Sequence, residues 1–370
     1  MEPAKDYAGL LRCAVLLPAG LVLADHLVLS WRSPAQWSWG FAAGLYLLLV
    51  GQVAAFSWIA GRRIAQPLIR WVVFGWVLVL VDLLVFRLLM IHSFGNPLHA
   101  LGFALISAEV GFLGLWAILG THPWPWRLPG AGAAAAVLVF FGLALTGPPR
   151  AGFGSAYSEW FLILLVQGPV VVALGLLLRF AGYRMARLPQ PGASGSDAEG
   201  LGPFQFGIGH MLFWTTLAVP VVLLAKSLSA MGWGWFGRPE ALPVVTLGVA
   251  QGVVSLVATW SALGKGRARL RLLVLALAAP AVGTALYGWA LRVSLSATSS
   301  PRTAGFPTFA HSLVAHVGPT WIGFTALAGG FLAGMLLFFR ADGYRLIRRP
   351  RRRPRATPED SPPALPPAAP

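Results

Sequence analysis

Apolar residues in this chain come in blocks of roughly 20, and the stretches between the blocks hold most of the charge. The blocks run over 8–30, 36–60, 67–91, 98–120, 127–147, 158–180, 206–229, 240–264, 270–294 and 317–340. A helix of about 20 residues spans the roughly 30 Å hydrocarbon core of a bilayer, so each block can cross it once. The pattern predicts an all-α fold, a polytopic membrane protein with about ten transmembrane helices. The first block follows Lys5 and Arg12. It is long for a signal peptide and lacks a convincing small-x-small cleavage site, so it is expected to remain as a span.

Composition agrees with that pattern. The 370 residues are 57% hydrophobic and 11% charged, with a mean hydropathy of +0.71. Soluble domains carry about 25% charged residues, and this chain could not cover a water-facing surface. Its net charge of +16 would suit nucleic acid, but the location of the charge argues for orientation in a membrane instead. With the N-terminus inside, only Arg32, Arg150, Arg238, Arg292 and Arg302 fall in outer loops, and Arg87 and Lys226 fall within spans. The remaining lysines and arginines are all cytoplasmic, including eight arginines between Arg340 and Arg355. This is the positive-inside distribution, and it predicts a bacterial inner (cytoplasmic) membrane protein with both termini in the cytoplasm. Trp31, Trp37, Trp39, Trp124, Trp126, Trp233 and Trp235 fall at the expected interfaces. Cys13 is the single cysteine, which excludes an intramolecular disulfide and a cysteine-based metal cluster.

One phrase is written twice. Residues 179–189 read RFAGYRMARLP and residues 340–350 read RADGYRLIRRP. Trp160 and Trp321, Gly168 and Gly329, and Pro189 and Pro350 keep the same constant offset. Arg179, Gly182, Tyr183 and Arg184 recur as Arg340, Gly343, Tyr344 and Arg345, and Arg187 as Arg348. The simplest account is a duplicated four-helix unit. Residues 1–63 hold a leading pair of helices, 64–189 the first unit, 190–203 a flexible linker, 204–350 the second unit, and 351–370 a disordered basic and proline-rich tail. Because four is even, the two units are parallel rather than inverted. The phrase itself suits a helix leaving the membrane. Arginine snorkels and meets the helix dipole, glycine adopts the left-handed stop, tyrosine anchors at the interface and proline forbids continuation. A second reading has both arginine clusters gripping an anionic lipid.

The segment FQFGIGHMLFWTTLAVPVVLLAK, residues 204–226, together with the two Gly-Tyr-Arg helix ends, resembles stretches common in bacterial multi-pass membrane proteins of unassigned function. The resemblance implies membrane class and no activity.

Charged groups at membrane depth are costly and mark either function or helix–helix attachment. Asp82 lies near the middle of the third block, Glu109 near the middle of the fourth, and Gln251 near the middle of the eighth. Arg87 and Lys226 lie near the outer ends of the third and seventh. These five form the candidate polar cluster, expected at the interface between the units, either binding a proton or cation or joining helices. Arg87 is five residues past Asp82, about 140° round a helix, so it is a poor intrahelical partner. His311 and His316 lack nearby Cys, Asp or Glu and make a poor metal site. No His-Glu-x-x-His, Gly-x-Ser-x-Gly, Walker A or Cys-x-x-Cys motif is present. No cofactor, metal site or catalytic set is expected, and no nucleic acid. The lipid bilayer is the expected partner, with anionic lipid at the basic tail; a protein partner stays unidentified. Function therefore reads as a structural or partner-binding membrane subunit. The alternative is a permease for a small solute using the midplane acids, and a membrane-embedded enzyme is the weakest reading.

Overall fold

A computed structural model describes residues 16–31, 38–64, 67–91, 97–120, 124–146, 154–187, 241–298 and 318–348. Among these residues there are nine helices: α1 Leu17–Trp31, α2 Trp39–Arg63, α3 Pro67–Ile91, α4 Pro97–Leu119, α5 Trp124–Thr146, α6 Gly154–Phe180, α7 Ala241–Leu263, α8 Ala268–Thr298 and α9 Gly318–Ala341. Two strands follow the ends of α6 and α9, β1 Tyr183–Arg187 and β2 Tyr344–Arg348. The seventh apolar block, 206–229, and the tail lie outside the described residues.

Among the described residues, seven helices are long and apolar enough to cross a membrane: α2, α3, α4, α6, α7, α8 and α9. Their outward positions are themselves apolar, as at Leu83 on α3, 60% exposed, and Leu277 on α8, 65% exposed. Helices apolar on all sides satisfy their own backbone groups and suit hydrocarbon rather than water. The chain is a helical membrane protein.

Four helices make the centre. α4 packs against α6 and α9, and α7 packs against the same two. α5 lies on α4, while α8 lies on α7 and α9. α2 runs along α9, and α3 covers α2 and α4. Without a hydrophobic drive between helices in lipid, close approach through small residues holds such a bundle together. Gly248 and Gly252, one turn apart on α7, do this against α6. A Cβ on Gly252 would overlap Val170 Cγ1, and one on Gly248 would lie 2.7 Å from Val166 Cβ. A second seam sets Gly330 and Gly334 of α9 against Val50 and Ala54 of α2.

The all-α expectation omits one element. β1 and β2 pair antiparallel, Tyr183 with Arg348, Arg184 with Ile347, Met185 with Leu346, Ala186 with Arg345 and Arg187 with Tyr344. Both strands are entered in the same way. Gly182 and Gly343 take φ of 88° and 87°, a region that suits glycine. The Gly182 and Gly343 amides bond the Arg179 and Arg340 carbonyls at 3.0 and 3.2 Å. Each helix therefore ends in a left-handed turn, and the chain that leaves it is extended instead of lost to solvent. The register is symmetric about Met185 and Leu346, so a half-turn exchanges the strands. That central pair is buried, which gives a two-stranded ladder the packing it needs to persist.

The ladder makes a direct prediction. In a Cys13→Ser background, Met185→Cys with Leu346→Cys should oxidise to an intramolecular disulfide, since facing residues sit about 4.5–5.5 Å apart. Met185→Cys with Ile347→Cys, whose side chains point to opposite faces, should not; non-reducing electrophoresis after mild oxidation distinguishes the two.

Candidate functional site

The bundle brings two of the candidate cluster residues together. α3 and α4 run side by side, and Asp82 and Glu109 meet between them within reach of each other's carboxyl groups. Glu109 is buried. Among the described residues, neither oxygen of Glu109 has a hydrogen-bond partner, and Asp82 Oδ1 has none. Two ionised carboxylates are acceptors only. Facing each other inside the bundle, they can share one proton or close on a small cation; with both charged and nothing between them they repel.

Of the other three members of the cluster, Gln251 alone has a described side chain. Gln251 is buried on α7, and its Nε2 has no partner among the described residues. Arg87 lies in the last turns of α3, its side chain outside the described residues, and Lys226 lies wholly outside them. Helix geometry separates the acids from the central contacts. Ser107 and Glu109 are two residues apart on α4, so they project about 200° from one another. Glu109 faces α3 while Ser107 faces α6.

Ser107 belongs to a second polar group whose hub sequence reasoning missed. Gln167 on α6 is fully buried. Its Oε1 accepts from Ser107 Oγ at 2.7 Å, and its Nε2 donates to the Ser107 carbonyl at 2.8 Å and to Ser255 Oγ at 3.5 Å. Ser255 in turn donates to the Gln251 carbonyl at 2.7 Å. One amide thus links α4, α6 and α7. Gly111 makes room for it, because a Cβ there would sit 2.8 Å from Ser255 Oγ. A glutamine within an apolar block was the available signal. Asp25 was missed too: it is buried on α1 and accepts from Gln52 Nε2 of α2 at 2.9 Å. Beside that pair, an apolar groove of about 420 Å³ is lined by residues such as Leu21, Leu48, Gly51 and Phe56.

At the basic end of the bundle, arginines cap helix C-termini. Arg179 Nη1 bonds the Ile118 carbonyl of α4 at 2.7 Å, and Arg340 Nη1 bonds the Ala262 carbonyl of α7 at 2.6 Å. Arg127 bonds the Trp116 carbonyl at 3.3 Å, and Arg271 Nε the Ser261 carbonyl at 3.1 Å. These partners reveal a second register that the sequence reading did not find. Trp116, Leu119, Gly120 and Arg127 recur, at one constant offset, as Trp260, Leu263, Gly264 and Arg271. Asp342 is bound by Arg70, which joins the end of α9 to the start of α3.

No group of three or more metal-ligating side chains occurs among the described residues. No protein-family model, curated protein or solved structure matches the chain.

Replacing Gln167 with Ala should lower unfolding stability in detergent by roughly 1–2 kcal/mol, since it removes the shared amide and leaves a void. Asp82→Asn, which offers Glu109 a donor, should leave stability equal or higher. Thermal unfolding of the two variants beside the parent checks both.

Proposed function

We propose that the chain is a structural or partner-binding subunit of the bacterial inner membrane, built from a duplicated four-helix unit with both ends in the cytoplasm. Ten spans belong to this reading, spans three to six in residues 64–189 and spans seven to ten in 204–350. Several contacts support the duplication. α4 with α6 corresponds to α7 with α9, and α6 with α7 corresponds to α9 with α4. The register that takes Trp116 to Trp260 and the one that takes Arg179 to Arg340 exchange these helices in pairs, and the ladder keeps the same exchange. The two offsets differ because the connection between α5 and α6 is not equal in length to its counterpart between α8 and α9.

One observation carries the structural reading. The contact between the units is filled, with Gly248 and Gly252 seated on Val166 and Val170 and the Gln167 amide holding Ser107 and Ser255. Such a seam favours a rigid body over one that rocks open around a solute. A proton- or cation-coupled permease is the second reading, favoured by Asp82 Oδ1 and the two Glu109 oxygens, which have no partner among the described residues.

Flux decides between them. In proteoliposomes carrying a pH dye, the structural reading expects proton and sodium leak equal to that of empty vesicles, for the parent and for Asp82→Asn/Glu109→Gln alike. Flux in the parent that this double variant abolishes would establish the permease instead.

A further inference from the structure

Two groups of three arginines occupy corresponding positions in the two units: Arg127, Arg179 and Arg184 beside the end of α4, and Arg271, Arg340 and Arg345 beside the end of α7. The members of each group act on one another electrostatically. Arg179 and Arg184 both bear on Arg127, while Arg345 bears on Arg271 and Arg340. A helix C-terminus attracts a cation with about half an elementary charge. Three guanidinium groups exceed that many times over, and like charges held together need a counter-ion.

The protein supplies little of one among the described residues. Asp342, two residues past Arg340, is engaged by Arg70. The corresponding position in the first unit is Ala181, which has no charge. Within each group, moreover, one guanidinium is buried and incompletely bonded. Arg127 is 2% exposed and its Nε has no partner among the described residues, while Arg271 is 3% exposed and its Nη2 has none among them. A buried guanidinium nitrogen without an acceptor is costly, and an oxyanion is the acceptor that guanidinium geometry fits best.

We infer that each arginine triad binds a phosphate group, presented by an anionic lipid headgroup or free in solution. The surroundings favour the lipid. Phe180, next to Arg179, is 84% exposed, and Leu272 and Leu273, next to Arg271, are exposed as well. Phosphate chemistry and acyl-chain surface are therefore adjacent at both sites. Arg184 is exposed and caps no helix carbonyl among the described residues, so it reaches toward the ligand without holding the fold. The inference does not depend on whether the subunit is structural or a permease.

Native mass spectrometry of the delipidated full chain, in a neutral detergent, tests it. With phosphatidylglycerol added, two molecules should stay bound under activation that strips phosphatidylcholine. Arg184→Gln should weaken one of the two by roughly tenfold, the loss of one charge-assisted bond. The basic tail also attracts anionic lipid, but Arg184→Gln leaves the tail intact, so a selective loss reports the triad. Arg127→Lys, which keeps the charge and loses the fork, should weaken the same site. If millimolar inorganic phosphate displaces the lipid and protects the chain against heat by itself, the sites stand and their ligand is soluble phosphate. If phosphatidylcholine is held as well as phosphatidylglycerol, or if Arg184→Gln retains both lipids as the parent does, the inference is wrong.

Discussion

Apolar side chains gain nothing by leaving lipid tails for one another, so helices in a bilayer hold together by how closely their backbones can approach. At Gly252 that approach leaves no room for a Cβ. The rest of the arrangement follows from it. Bringing α7 onto α6 puts Ser255 beside Gln167, and Gln167 then reaches Ser107 on α4. The same packing fixes where α6 and α9 end relative to each other, which lets two short strands meet in register. Close van der Waals contact comes first here, and hydrogen bonding specifies what the contact has positioned.

Polar groups in the bundle divide by what they are attached to. Gln167 has partners for both its oxygen and its nitrogen, and it behaves as an internal fastening. Among the described residues, Asp82 Oδ1 and both oxygens of Glu109 lack a donor, a different chemistry from that of the amide. The arginines stand at the helix ends, where the carbonyls of α4 and α7 accept from Arg179 and Arg340. Among the described side chains, the buried acids Asp25 and Glu109 and the neighbouring Asp82 stand apart from the arginines at the helix ends.

Much of the helical layout was legible because apolar blocks of spanning length have few other outcomes; α3 begins at Pro67 and ends at Ile91, as its block does. The nearness of Asp82 and Glu109 followed from equal depth on consecutive antiparallel helices. Depth does not specify a face, however, and so it could not foretell that the Gln251 carbonyl accepts from Ser255, in the group around Gln167. Gln167 escaped notice because an uncharged amide barely interrupts an apolar run. The register joining Trp116 to Trp260 was hidden by sparse identities and by the unequal spacing from Arg127 to Arg179 and from Arg271 to Arg340. The ladder could not be read from propensity at all. Tyr-Arg-Met-Ala-Arg is a weak strand alone, and what makes it one is a partner in the other half of the chain.

That separation orders events during synthesis. Residue 183 emerges from the ribosome long before residue 348, and its mate does not exist until α9 has been made and inserted. The clasp between the two halves closes only once both strands have been made. An interrupted product would keep most of its helices and lack this seal, leaving a bare strand edge on the basic face that a quality-control protease could grasp.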